Sequence, residues 1–267
     1  MSLDWQQQTV IITGAYGGLG QELCKSLDRL GTHLIITGRN KEKLKQLEQS
    51  LNNCTSLVGD VGSDEFMNEL LVIAMNKKAN GHILINNAGV STAAFLALQS
   101  KDEIQAQLNI NLLAPILLCQ TLLPWLKSSK NGKIINIGST FGAIGYPGFS
   151  IYCASKFGLR GFSQALNREL SDTTVEVQYL APRAITTKIN SDKVNKLNQE
   201  LNNNVDTPEQ LVPQIINAIE KGKKEKFFGF PEKLFAKING LFPSIVSGSI
   251  SKELVTIKKH LNKEGQS

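Results

Sequence analysis

No run of eighteen apolar residues occurs in this chain, and its opening, Met1-Ser-Leu-Asp-Trp-Gln-Gln-Gln, lacks the apolar stretch of a secretory signal. We therefore expect a cytoplasmic protein. The four cysteines, Cys24, Cys54, Cys119 and Cys153, include no CxxC pair and form no dense framework. That fits packed thiols in a reducing compartment and implies no metal site. Arginine is missing from Lys221 to Ser267, although that stretch holds ten Lys and four Glu and so carries the whole net charge of +6. Without Arg and aromatic residues interleaved on a recognisable module, nucleic acid is not an expected partner.

With 267 residues, 41% of them hydrophobic, the chain can bury a full core, and one domain is expected. Its central stretch runs from Gly132 to Lys156. A strand (Lys133 to Ile137) ends at Gly138-Ser139, and a helix opens around Tyr152. Tyr152 and Lys156 stand at i and i+4, so a helix places phenol and ammonium on one face. A free tyrosine titrates near 10, and acid–base work near neutrality asks for a shift of roughly three units, worth about 4 kcal/mol. Lys156, helped by a cationic cofactor ring, is a candidate source. Ser139, at the carboxyl end of its strand, can donate to a carbonyl oxygen on which charge develops.

Taken in order, Gln8 to Thr13 is a short β-branched apolar run. It leads into Gly14, Tyr16, Gly17, Gly18, Leu19 and Gly20, and then into a helical pattern that stops at Gly31. Strand, glycine turn and helix in that order predict a pyrophosphate site, where the backbone comes close and the helix amino terminus offers free N–H groups. His33 to Thr37 is the second strand. It ends at Gly38-Arg39-Asn40 with no carboxylate for a ribose 2′-hydroxyl, and the Arg39 guanidinium can fork onto a phosphate, so NADP(H) is favoured over NAD(H). Lys41 to Leu51 reads as an amphipathic helix and Cys54 to Val58 as a third strand that runs into Gly59-Asp60-Val61. Asp60 either caps the next helix or touches the adenine. That helix starts at Ser63 and is expected to reach about Lys78, before the fourth strand at His82 to Ile85. Asn86-Asn87-Ala88-Gly89 follows and can pin backbone and cofactor together. A long helix from Lys101 to Leu126 holds Asn111 in apolar surroundings as either a kink-former or a member of a proton relay, and Pro115 can distort it.

With these residues assembled, the chain resembles the short-chain dehydrogenase/reductase family, in its NADP-preferring branch with a Tyr-x-x-x-Lys site, from about residue 7 to residue 220. The motifs are Thr13-Gly14-x-x-x-Gly18-x-Gly20, Asn86 to Gly89, Asn111, Ser139, Tyr152 and Lys156. The resemblance implies hydride transfer between a nicotinamide and a carbonyl or alcohol carbon. It implies that Tyr152 is the acid/base, that Lys156 lowers its pKa and binds the nicotinamide ribose, that Ser139 orients the substrate oxygen, and that Asn111 holds a water. It also implies that Pro182, Ile185 and Thr187, after the sixth strand (Val175 to Leu180), meet the nicotinamide carboxamide. At Ala181-Pro182-Arg183 the sequence departs from the family's Pro-Gly, and we expect Arg183 to face solvent rather than an anionic substrate group. The family's pairing of the helices that hold Asn111 and Tyr152 implies a homodimer or homotetramer.

The expected fold is α/β, a Rossmann-type doubly wound parallel sheet of about seven strands with a C-terminal helical extension. Residues 1–230 form the cofactor-binding and catalytic domain, with a polar lid at about 186–206. Thr207-Pro208-Glu209-Gln210 begins another helix, and Lys226 to Phe228 supplies a last strand. Residues 231–267 form a basic amphipathic extension of the same domain, with helical patterns at Pro231 to Leu241 and Ser249 to Leu261. It either packs over the substrate pocket or on a partner subunit, or lies on a membrane through 231–262, or is a loose tail. The expected substrate is a small carbonyl or alcohol compound, apolar and lipid-, steroid- or acyl-like. The alternatives are a cofactor-binding scaffold without turnover and a membrane-docked partner protein.

Overall fold

A computed structural model describes residues 3–77, 79–187 and 190–261. Seven strands form one parallel sheet in the order β3-β2-β1-β4-β5-β6-β7. They are β1 (Gln8–Ile12), β2 (His33–Gly38), β3 (Cys54–Val58), β4 (Gly81–Asn86), β5 (Asn131–Ile137), β6 (Val175–Ala181) and β7 (Glu225–Phe227). β1 and β4 are buried at every residue. Val10 to Ile12 and Ile83 to Ile85 are accordingly apolar at successive positions, since helices cover a parallel sheet on both faces.

One face carries α1 (Gly18–Arg29), α2 (Lys41–Gln49) and α8 (Pro208–Glu220). Leu23, Leu27, Leu211 and Ile215 pack there on Val10, Ile12, Ile36 and Ile83. The other carries α3 (Asp64–Met75), α4 (Lys101–Leu108), α5 (Ala114–Lys127) and α6 (Ser150–Glu169), with Leu70, Leu118, Leu122 and Trp125 on Ile11, Leu84 and Ile134. Sheet order reverses between β1 and β4, which opens a crevice at their carboxyl ends. The helical stretch Lys101–Lys127 is long and apolar enough to cross a membrane by composition. Within it Leu118, Leu122, Trp125 and Leu126 are buried in the core.

The expected boundaries shift in three places. The third helix ends at Met75, and Lys78 lies outside the described residues, as do residues 188–189 of the lid and 262–267 of the extension. Inside the lid a helix forms, α7 (Asp192–Glu200), capped by the Ser191 hydroxyl, which accepts from Val194 N, and buried through Val194 and Leu197. The last two helices are α9 (Glu232–Leu241) and α10 (Pro243–Leu261), and the second starts six residues earlier than its weak periodicity indicated. Pro243 opens it because its fixed φ suits a first helical position.

Candidate active site

The crevice holds a cavity of about 720 Å³ that joins two regions, a glycine cradle and an apolar chamber. Gly14 adopts φ +65, and a Cβ there would lie 2.8 Å from the Ala88 Cα, so the β1 turn and the segment after β4 meet as closely as glycine permits. Gly18 plays the same part toward the loop after β6, where a Cβ would come 2.7 Å from Thr187 Cγ2. Tyr16, Gly17, Leu19 and Gly20 complete this wall, with Ala88 and Gly89 opposite and Pro182, Ile185 and Thr187 as a cover.

Three predicted site residues do not line the cavity and hold its wall instead. Thr13 is 1% exposed, and its hydroxyl accepts from the Asn87 and Ala88 amides at 3.0 Å each. The Asn87 side chain, itself in the lining, returns the tie by donating to the Thr13 carbonyl at 2.9 Å. Asn40 caps α2, its side chain accepting from Lys43 N at 2.8 Å, while its own N–H donates to Tyr16 Oη. Asn111 is fully buried. Its Oδ1 accepts from Val90 N at 2.8 Å, and its Nδ2 donates to Val90 O at 2.8 Å and to Ser155 Oγ at 3.2 Å.

Both readings of Asn111 concern one local feature. Residues Asn109–Leu113 form a π-turn, with Ala114 N bonded back to Asn109 O, between α4 and α5. Pro115 has no N–H to offer the Asn111 carbonyl, so the regular ladder cannot pass this point and the helix widens.

At the rim of the cradle Arg39 is exposed, and among the described residues no carboxylate or carbonyl holds it. Asp60 and Val61 line the same end, Asp60 using Oδ1 to accept from Gly62 N at 2.9 Å. The helix after them is capped by Ser63, whose hydroxyl accepts from Phe66 N. Asp60 therefore does not cap that helix and lines the cavity instead.

Deeper in, Ser139, Tyr152 and Lys156 face the cavity together. Lys156 is 5% exposed, its Nζ donates to the Ile137 carbonyl at 3.0 Å, and it lies 5.8 Å from the Tyr152 ring centre. Burial pushes the Tyr152 phenol up to about 12, the Ser139 side chain opposing it, and pulls the Lys156 ammonium down to about 8. The protein by itself thus keeps the phenol protonated, ready to give a proton to an oxygen. Tyr179, unread in the sequence, steadies this turn, with its hydroxyl donating to Ser139 O and accepting from Ser139 N, both at 3.2 Å.

These are the parts of a dinucleotide-dependent oxidoreductase, and comparison with known proteins agrees. The short chain dehydrogenase family profile matches residues 8–198. The chain is a short-chain dehydrogenase/reductase. It is 36% identical over 199 residues to the 3-oxoacyl-[acyl-carrier-protein] reductase FabG of Rickettsia bellii, covering 74% of this chain and 79% of that one. Similarity extends to dehydrogenase/reductase SDR family member 7B of Xenopus laevis, 30% identical over 237 residues (82% and 73%). Among solved structures, a short-chain dehydrogenase from Sphingobium yanoikuyae in complex with NADPH superposes with a TM-score of 0.76 at 26% identity, covering 97% of this chain and 98% of that one. As a member of the family the chain transfers hydride between a nicotinamide cofactor and a carbonyl or alcohol, and the cradle fits such a cofactor.

The short-chain dehydrogenase/reductase chamber holds residues that the sequence reading missed. Phe141, Tyr146 and Phe149 form an aromatic wall, Phe141 lying 5.1 Å from both other rings and 6.3 Å from Tyr152. Phe235, Val246 and Ile250 close it from α9 and α10, and Val194 and Leu197 from α7. The extension therefore packs over the pocket. Two carboxylates of the extension line this cavity, Glu232, which meets Arg183, and Glu253, whose Oε2 accepts from Tyr146 Oη at 2.7 Å. The stripe Val246, Ile250, Glu253, Ile257 shows the acid breaking an apolar helix face, a signal that was available in the sequence.

Arg183 corrects an expectation. Rather than facing solvent, it forks onto Asp206, with Nη2–Oδ1 at 2.6 Å and Nε–Oδ2 at 2.9 Å, and reaches Glu232 Oε2 at 3.4 Å. Its side chain is only 16% exposed. The family's glycine position is here used to clamp the lid, whose base is closed by the Ile185–Asp206 bridge, to the first helix of the extension.

Proposed function

We propose that this chain is an NADP(H)-dependent reductase of an apolar, acyl- or lipid-like carbonyl compound. The observation that carries the reading is that Tyr152, Ser139 and Lys156 share one cavity with Arg39, which has no ion-pair partner among the described residues. NADP(H), when bound, supplies or accepts the hydride. In this reading Tyr152 donates its proton to the substrate oxygen, Ser139 hydrogen-bonds that oxygen, and Lys156 carries positive charge beneath the ribose side of the site. Asn111 sets the backbone at Val90 beside the reacting groups and holds the relay water. Arg39 takes the 2′-phosphate by a forked contact, which favours NADP(H) over NAD(H).

The apolar chamber and the acyl substrate in the name of the Rickettsia relative support an acyl-like ligand, and Glu253, which has no cation beside it among the described residues, favours one with a hydrogen-bond donor at its far end. We further propose a cytoplasmic homo-oligomer built on the α4–α5 and α6 faces, where Leu113 and Phe157 stand 47% and 41% exposed. Four free cysteines suit a reducing compartment.

The test is NADPH and NADH oxidation against aldehydes, ketones, quinones, acyl thioesters and sterols. Tyr152→Phe should lower kcat by about 10²–10⁴-fold with NADPH binding retained. Arg39→Asp should raise KM for NADPH by at least about tenfold and leave KM for NADH nearly unchanged. Full turnover by the Tyr152→Phe enzyme would refute the acid/base assignment.

A further inference from the structure

The helix α9 and the turn into α10 show solvent a face rich in large apolar side chains. On α9, Glu232, Ala236 and Asn239 follow at spacings of four and three and turn inward. Glu232 meets Arg183, Ala236 is 7% exposed, and Asn239 Nδ2 donates to the Ala143 carbonyl at 2.8 Å. Leu234, Lys237 and Leu241, spaced three and four apart, therefore look outward. Leu234 is 45% exposed and Leu241 74%, and Phe242 and Ile245 in the next turn are 58% and 63%. Phe230, just before the helix, is 64% exposed. Large apolar side chains exposed singly are ordinary, but five within sixteen residues make a patch that marks an interaction site.

Cations surround it. Lys233 and Lys237 are exposed on α9, and Lys221, Lys223 and Lys224 are exposed on the turn before β7. These belong to one field: Lys226 is held below its usual pKa by burial and then by the like charges of Lys221, Lys223 and Lys233. The acids of the region are already engaged, Glu225 with Arg160, Glu232 with Arg183 and Glu253 with Tyr146.

We propose that this face, centred on Leu234, Leu241, Phe242 and Ile245, docks the protein on an anionic lipid bilayer. An apolar helix face rimmed by lysines complements acyl chains and negative headgroups at once. A second copy of the chain complements it badly, because a twofold contact would set the lysine rim against itself, with no unengaged carboxylate among the described residues of this face to meet it. Phe235, 38% exposed, belongs both to this face and to the cavity lining. Docking thus sets the chamber against the membrane, and an apolar carbonyl compound enters from the bilayer. That last clause rests on the function proposed above, whereas the docking does not.

Co-sedimentation of the full chain with vesicles tests it, using phosphatidylcholine alone and phosphatidylcholine mixed with phosphatidylglycerol. Binding is expected to the anionic vesicles only and should weaken as salt rises. The double variant Leu241→Glu/Phe242→Glu should bind at least about tenfold more weakly. Neither residue lines the cavity, so NADPH affinity and unfolding temperature should match the parent. Tyr152→Phe should dock like the parent, which separates failure of docking from failure of the enzymatic reading. Absence of the parent from the anionic pellet, or equal binding by the double variant, would overturn the proposal. A change of oligomeric mass in the double variant would overturn it in favour of a second copy as the occupant.

Discussion

Lys156 works at a thermodynamic cost that can be measured. Its ammonium is buried against the Ile137 carbonyl, and burial lowers its pKa from 10.5 to about 8. The unfolded chain therefore binds the proton more tightly than the native one. The penalty is fully present below about pH 8 and fades as pH rises toward 10.5, so stability from this group increases across that window. Lys156→Met should be more stable than the parent at pH 7 by on the order of 2–3 kcal/mol, and the gap should narrow by pH 9.5. Urea unfolding at both values checks this. A gap independent of pH would mean that the gain comes from packing. Burial keeps the Tyr152 phenol protonated through the neutral range, and because alcohol oxidation needs the phenolate as base, its rate should rise with pH. Ser139, Tyr152 and Lys156 were legible because their chemistry depends on residue type and short spacing. Tyr179 was not, since its hydroxyl reaches Ser139 across forty residues of chain.

At the scale of elements, the structure resolves what repeats of three and four could not. The π-turn at Asn109–Leu113 follows from Pro115, whose presence the sequence displayed and whose effect it left open. α7 escaped notice because Val194 and Leu197 are only two apolar anchors in a polar segment. The clamp between lid and extension hangs on Arg183, and removing it would leave two largely buried carboxylates, Asp206 and Glu232, without their cation. Arg183→Ala should cost about 2–3 kcal/mol, or about 2–4 °C in Tm for each kcal/mol. Arg183→Lys should recover only part of this, because an ammonium cannot fork onto Asp206. Calorimetry on the three proteins checks the order, and equal Tm values would show that the clamp adds nothing to the fold.

The whole molecule is a doubly wound sheet whose cofactor crevice is roofed by a segment of its own, α7, α9 and α10. The roof gives the chamber much of its apolar lining, through Val194, Leu197, Phe235, Val246 and Ile250, and adds the carboxylates of Glu232 and Glu253. Oligomerisation belongs to this scale too. Leu113 and Phe157 are exposed on the faces proposed to pair, and Phe157→Glu should convert the assembly to monomers in light scattering. A parent that already runs as a monomer would refute that pairing.

By itself the sequence determined the strand order of events: β-branched runs, a glycine turn, a helix start, a phenol and an ammonium one turn apart. These are local properties, fixed by backbone sterics and by periods of two and 3.6 residues. Only the tertiary structure decided that Arg183 turns inward, that Glu253 enters the chamber, and that α9 faces solvent with Leu234 and Leu241. Each depends on which surfaces meet across long stretches of chain. A side chain's partners at such distances are set by packing of the whole, which no local spacing encodes.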